Sequence, residues 1–174
     1  MRVRDAVLSD FEGITAIYND LVRHSTAVYN DQPATVAERV GWWSARAADR
    51  FPVLVAVEDD GTIAGYGTFA QFRSWPGYRY TVEVTVHVRE GRRRSGVGSS
   101  LLGDLIDRAK RLGMHAMVGA IDSGNAESLA FFGRHGFVER GRLPEVGYKN
   151  GRFLDLVLME CGIARAGWKT SSGT

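Results

Sequence analysis

The stretch from Thr81 to Leu112, "TVEVTVHVREGRRRSGVGSSLLGDLIDRAKRL", changes its apolar period once, and that change limits the folds open to the chain. Val82, Val84, Val86 and Val88 alternate with Thr81, Glu83, Thr85 and His87, which is the period of a strand with one apolar and one polar face. After Gly96 the apolar residues recur every third or fourth position, the period of a helix. Arg92, Arg93, Arg94, Gly96 and Gly98 lie at the junction. A helix N-terminus exposes unpaired backbone N–H groups and the positive end of its macrodipole. Glycine lets a ligand approach those groups closely and arginine adds positive charge, so the junction is suited to an anion, above all a phosphate.

With 174 residues the chain is long enough for one domain with a real core, expected over residues 1–162, with a flexible tail over 163–174. The formal net charge is only +2, so the basic character is local to residues 89–94; this argues against a dedicated nucleic-acid binder, whose basic surface is broad. No run approaches the roughly 18 apolar residues of a membrane span, and "MRVRDAVLSD" lacks the apolar core of a signal peptide. Cys161 is the single cysteine, which excludes an intrachain disulfide and suits a cytoplasmic protein. It reads as a packed thiol. His24, His87, His115 and His135 show no metal-ligand spacing, and no metal is expected.

Along the chain, "MRVRDAV" reads as a strand, and Ser9 with Glu12 forms a capping-box pattern ahead of Ile14, Ile17, Tyr18, Leu21 and Val22 at helical spacing. Thr35 and Glu38 repeat the pattern before a second helix carrying Trp42 and Trp43. "PVLVAVE" and "TIAGYGTFAQF" flank the turn "DDG" as a hairpin. "HAMVGAI" reads as a buried strand, "NAESLAFFGRH" as a short helix, and "FVERGRL" and "FLDLVLME" as paired strands. The predicted order is β-α-α-β-β-β-α-β-α-β-β, an α/β fold with a mixed sheet and helices on its faces.

The Walker spacing G-x-x-x-x-G-K-[ST] is absent, and Leu101 fails the third glycine of the dinucleotide fingerprint. What remains is "RRSGVG", Arg93-x-x-Gly96-x-Gly98, between a strand and a helix. Here the sequence resembles the GNAT superfamily of acyl-CoA-dependent N-acetyltransferases, whose pyrophosphate loop reads Q/R-x-x-G-x-G/A. Asn125 and Ser128 in "NAESLAFFGRHGF" resemble its second CoA-contact segment. From about residue 2 to 160, "AIYND", "TAVYNDQP", "FPVLV", "GYRYTVEVTVHV", "IDSGNAES" and "VGYKNGRFLDL" fall in order as in the phosphinothricin and methionine-sulfoximine N-acetyltransferases, which they resemble. The resemblance implies a GNAT fold and acetyl transfer from acetyl-CoA to the α-amine of a small amino-acid analogue, in a homodimer.

By that resemblance, the backbone of Val86, His87 and Val88 pairs with the pantetheine arm. Arg93, Arg94, Ser95, Gly96, Val97, Gly98 and Ser99 hold the pyrophosphate, and Asn125 and Ser128 complete the cofactor site. Glu83 is the candidate catalytic base, because an α-ammonium must lose a proton before it can attack a thioester. Arg73, Ser74 and Trp75 are placed at the acceptor. Arg73 offers the fork that suits a carboxylate, Tyr29 and Trp75 form walls, and Lys149 lies close by with Tyr148 and Asn150.

Three positions depart from the family pattern. Val84 stands where a histidine is frequent, His87 where a tyrosine is usual, and Phe132 where a tyrosine or histidine serves the departing thiolate; phenylalanine has no proton to give. The expectation is that Phe132 forms an apolar wall beside the thioester and that water, His87 or the attacking amine supplies the proton. Two other readings stand beside the first. One is an enzyme of the same fold acting on a peptide N-terminus, polyamine or aminoglycoside. The other is a non-catalytic acyl-CoA sensor.

Overall fold

The computed structural model describes residues 1–163. Their elements are β1 (Arg2–Asp5), α1 (Phe11–His24), α2 (Val36–Ala48), β2 (Val53–Val57), β3 (Ile63–Gln71), β4 (Thr81–Val88), α3 (Val97–Arg111), β5 (Ala116–Asp122), α4 (Ala126–Arg134), β6 (Val138–Lys149) and β7 (Arg152–Gly162). This is the order predicted from the sequence. The strands form one seven-stranded sheet in the order β1-β2-β3-β4-β5-β7-β6. Only β4 and β5 run parallel, joined by the α3 crossover.

The alternation in β4 sorts its side chains onto two faces. Val82 and Val84 join Leu101, Leu102, Leu105 and Ala109 of α3 in one core. On the other face, Tyr66 of β3 packs with Ile14, Ile17 and Leu21 of α1 and Val53 and Val55 of β2 in a second core. Helix α3 lies directly on the backbone of β3. A Cβ on Gly65 would come within 2.8 Å of the His87 carbonyl oxygen and 2.9 Å of Val97, so glycine is there for a close approach.

Helix starts follow local chemistry, once against expectation. Thr35 and Glu38 form the predicted capping box: the Glu38 N–H donates to the Thr35 hydroxyl at 3.2 Å and the Thr35 N–H to the Glu38 carboxylate at 2.7 Å. Ser9 and Glu12 do not form one. A 3₁₀ turn over Leu8–Asp10 precedes α1, and the buried Asp10 carboxylate accepts from the Val7 N–H at 2.8 Å and from Arg4 at 2.6 Å. A carboxylate reaching both a backbone donor and a guanidinium displaces a serine hydroxyl from that role. β6 runs further than "FVERGRL". It passes Pro144 by a register shift between Leu143 and Gly147, which an edge strand tolerates. Ile163 is buried and donates to the His115 carbonyl, so it belongs to the folded body. The rest of the expected tail, residues 164–174, lies outside the described residues.

The pairing of β4 with β5 covers Thr81, Val82 and Glu83 against Ala116, Met117 and Val118, and then stops. From Val84 to Val88 the strand keeps its β3 partner but has none on the β5 side. The sheet is split there.

Gly65→Ala should destabilise the protein by about 1–3 kcal/mol, the usual cost of overpacking. Gly41→Ala, in α2 with nothing within 4 Å of its added Cβ, should stabilise by about 0.5–1 kcal/mol. Urea unfolding of both variants checks the contrast, and equal effects would show that α3 does not rest on β3.

Candidate active site

The split gathers most of the cofactor candidates. Val86, His87 and Val88 lie on the β4 segment without a β5 partner, so their backbone donors and acceptors on that side are open to a ligand. The chain then turns through residues 89–96 into α3. Gly96 caps this helix with φ +86°, a left-handed conformation that favours glycine. Val97 is buried against α3's core face, so its contribution to a phosphate is its backbone N–H. Gly98 faces α4: a Cβ there would lie 3.2 Å from the Phe131 ring. Its glycine is thus explained by helix packing as well as by ligand approach. Ser95 donates its hydroxyl to the Arg92 carbonyl at 2.6 Å, tightening the turn, and Ser99 is exposed in the first turn of α3.

Helix α4 closes the other side. Asn125 is its N-cap, accepting from the Ser128 N–H at 3.1 Å. Glu127 reaches across to the loop, pairing with Arg94 and lying 3.9 Å from Arg93. Arg93 and Arg94 are thereby held near the helix terminus, half-exposed or more, where an incoming phosphate can compete for them.

Glu83 sits where the β4–β5 pairing ends, on the polar face with Thr85 and His87. Burial pushes its pKa up, while the Arg73 and Arg46 guanidinium groups pull it back. His87 is buried edge-to-face against Tyr66, with ring centres 5.2 Å apart. Burial first, and then the charge of Arg39, pull its pKa down to about 4. It is therefore neutral at neutral pH and holds no surplus proton, which removes it as the donor to a departing thiolate.

The acceptor candidates divide. Arg73 is exposed, stacks on the Phe72 ring at 4.3 Å and donates to the Phe72 carbonyl. Ser74 and Trp75 follow in the same exposed loop, which Gln71 braces through the Arg73 and Trp75 carbonyls. Trp75 is 74% exposed, so it walls no closed pocket within this chain. Tyr29 lies across Gly147, where a Cβ would collide with its ring. Burial and the charges of Asp122 and Asp155 raise its pKa, keeping the hydroxyl protonated.

Lys149 departs from its expected role. It is 1% exposed, and its ammonium donates to the carbonyls of Ser25 at 2.7 Å and Val28 at 2.6 Å. It ties the end of β6 to the segment carrying Tyr29 and has no free reach toward a substrate. Asp122, buried at the end of β5, holds the same segment through the Thr26 hydroxyl. Neither clamp could be read from the sequence, because the partners are backbone carbonyls and a threonine about a hundred residues distant. Arg46 was also missed. Arg39, Trp42 and Arg46 share one helix face at i, i+3 and i+7, and that basic–aromatic stripe was the available signal.

The profile described as "Acetyltransferase (GNAT) family" matches residues 14–137. The chain belongs to the GNAT acetyltransferases. It is 45% identical over 161 residues to the L-methionine sulfoximine/L-methionine sulfone acetyltransferase of Pseudomonas paraeruginosa, covering 92% of this chain and 94% of that one. The solved structure of yncA from Salmonella typhimurium, a putative acetyltransferase with its cofactor acetyl-CoA, superposes with a TM-score of 0.91 at 39% identity over 98% of each chain. A phosphinothricin acetyltransferase from Sinorhizobium meliloti in complex with acetyl-CoA gives a TM-score of 0.91 at 31% identity, covering 99% of this chain and 94% of that one. This acetyltransferase uses acetyl-CoA. Among the described residues no group of three or more His, Cys, Asp or Glu could hold a metal ion, and no helix is long and apolar enough to cross a membrane.

Phe132 is buried, edge-to-face with Phe131 at 5.3 Å and Phe137 at 4.9 Å. Its ring lies 3.2 Å from where a Cβ on Gly119 would stand. The residue is packed in the core against β5 beside the split, rather than lining the cleft as an open wall.

The depressed His87 pKa carries a stability signature. The unfolded histidine titrates near 6.5 and the folded one near 4, so between these values the unfolded state binds more protons and stability falls as pH falls. Tyr66, whose pKa burial raises, stays neutral throughout that window. His87→Phe should flatten this part of the pH dependence, seen as the difference between wild-type and variant urea midpoints from pH 7 to pH 4. A difference that does not change with pH would mean that folding leaves the His87 pKa at its unfolded value.

Proposed function

We propose that this GNAT enzyme moves the acetyl group of acetyl-CoA directly to the α-amine of a small amino-acid analogue of the methionine sulfoximine, methionine sulfone or phosphinothricin type. The observation that carries the reading is the position of Glu83, a half-buried carboxylate at the last paired residue before the split, flanked by arginine charge. The names of the similar acetyltransferases support this acceptor class. The enzyme works as a homodimer in the cytoplasm. The dimer is supported by the outer edge of the sheet, where Leu143 and Val146 of β6 and the Tyr148–Phe153 pair of the hairpin are exposed.

Bound acetyl-CoA supplies a thioester carbonyl as the acyl donor. The residues that fit it are the open β4 edge at Val86–Val88, the α3 N-terminus with Gly96, and the arginines of the preceding loop. Glu83 accepts a proton from the acceptor's ammonium, directly or through one water, which frees the nitrogen lone pair. The nitrogen–carbon bond forms, the carbon–sulfur bond breaks, the nitrogen gives up its second proton to water as the amide forms, and the thiol leaves as thiolate. With Phe132 unable to donate and His87 neutral, that thiolate takes its proton from water; a thiol pKa near 8.5 makes it a tolerable leaving group.

Release of free CoA thiol is followed with methionine sulfoximine, methionine sulfone and phosphinothricin, and with amines of other classes. Glu83→Gln should slow transfer roughly 10²–10⁴-fold while the acetyl-CoA-induced rise in melting temperature persists. The loss should shrink as pH rises, because more of the amine is then already neutral. The wild-type rate should fall on the acid side at a pH above the ordinary carboxylate value of 4.5, since burial raises Glu83. A wild-type rate in Glu83→Gln at neutral pH would assign the base elsewhere. Sedimentation of the purified chain at twice its 19.1 kDa mass checks the dimer; a monomer at micromolar concentration would remove it.

A further inference from the structure

Arg46, in the last turn of α2, lines a cavity of about 410 Å³ with Asp49, Phe51, Ala70, Gln71 and Ser74. Ala70 is the cross-strand partner of Glu83, so the cavity adjoins the candidate base on its own face of the sheet. Arg46 and Glu83 feel each other's charge, yet no ion pair within 4.0 Å engages either of them among the described residues. The Arg46 Nε is buried and has no hydrogen-bond partner. Two turns earlier Arg39 is 8% exposed, stacked between Tyr18 at 4.4 Å and Trp42 at 3.9 Å, and its Nε is likewise without a partner. Removing guanidinium groups from water without an acid is costly, and cation–π contact recovers only part of that cost.

We propose that this cavity receives the α-carboxylate of the amino-acid acceptor and that Arg46 is its ligand. The inference rests on the acceptor class argued above and says how that class is recognised. An α-amino acid carries its carboxylate and its ammonium on one carbon. The neighbouring Arg46 and Glu83 offer a cation and an anion in the matching order. The planar fork of Arg46 can give two parallel N–H donors to a carboxylate, and Ser74 lines the same cavity. Gln71 fixes the loop bearing Ser74 through the Arg73 and Trp75 carbonyls.

The charged groups facing the cavity favour an anion. Burial and Arg39 lower the Arg46 pKa, which a bound carboxylate would reverse; Asp49 and Glu83 oppose that lowering. Asp49 is exposed, so water screens its repulsion toward a ligand. Arg73, by contrast, lies exposed against Phe72 with a hydrogen bond to its neighbour's carbonyl. It contributes to the field on Glu83 from the outer side, and the inner carboxylate contact falls to Arg46.

The test compares methionine sulfone with 3-(methylsulfonyl)propan-1-amine, the same molecule without its carboxylate, at saturating acetyl-CoA. Wild type should use the amino acid with much the lower KM. Arg46→Gln should raise the KM for the sulfone by roughly 30-fold or more and raise the KM for the bare amine far less. Arg46→Lys, which keeps the charge and loses the fork, should fall between. An acetyl-CoA-induced rise in melting temperature in each variant certifies the fold and the cofactor site. If one variant fails that check the other decides; if both fail, Arg46→Met, which keeps an apolar side chain of similar reach, decides by the same comparison of acceptors. A sulfone KM unchanged in the variants, an equal rise for both acceptors, or a wild type that does not prefer the amino acid overturns the assignment of Arg46. A wild type that acetylates neither acceptor while acetylating another amine overturns the acceptor class and this inference with it. A wild type that acetylates methionine sulfone normally while Arg46 proves indifferent overturns the inference alone.

Discussion

The interaction on which the rest depends is one the sheet does not complete. β4 and β5 share three paired positions and then part after Glu83. Buried backbone donors and acceptors left without partners cost free energy comparable to a lost hydrogen bond each, so a split strand edge is stable only if something else meets it. The protein surrounds it. Helix α3 sits on the glycine-bearing backbone of β3 and holds one side. Helix α4 holds the other, with Phe131 against Gly98 and Phe132 against Gly119. These adjacent rings meet at 85°, and between them they brace the start of α3 and the strand beyond the split. Packing thus holds the opening, and the edge it leaves offers backbone donors and acceptors.

Electrostatics on the opposite face follow from that arrangement. Glu83 is half-buried and feels the positive charges of Arg73 and Arg46, and Arg46 in turn feels Arg39. His87, deeper along the same strand, stays neutral because burial and Arg39 both oppose its protonation. Desolvation pushes the Glu83 carboxyl up, and the two arginines limit that rise. The same positive charge favours a ligand that brings its own anion.

Much of the architecture was legible because it is written in periods and short-range chemistry. The change from period two to period 3.6 across Val88 and Val97 fixed the strand, loop and helix, and the Thr35–Glu38 box appears as read. What escaped was set by contacts across the chain. Ser9 has the right chemistry for a cap, but Asp10 can serve Val7 and Arg4 together. The glycine at Gly98 suggested room for a ligand, and the structure adds a phenylalanine ring to the reason. Phe132 was legible as a break in the family's pattern, although its burial against Gly119 was not. Arg46 was signalled only by its place in the basic–aromatic stripe of α2; the folded chain shows its Nε buried at a cavity lined by Ala70, the cross-strand partner of Glu83.

Lys149 bears on a hazard peculiar to this chemistry. A protein that holds an activated acetyl thioester exposes its own amines to it, and a lysine beside the acceptor region would be the first to suffer. The sequence contains only Lys110, Lys149 and Lys169 among 22 basic residues, so nearly all its cationic surface is guanidinium, which is far less nucleophilic than an amine. Burial lowers the Lys149 pKa and by itself would sharpen its reactivity. Two carbonyl oxygens hold that ammonium instead, so the brace that ties the end of β6 to the segment carrying Tyr29 also keeps this amine occupied.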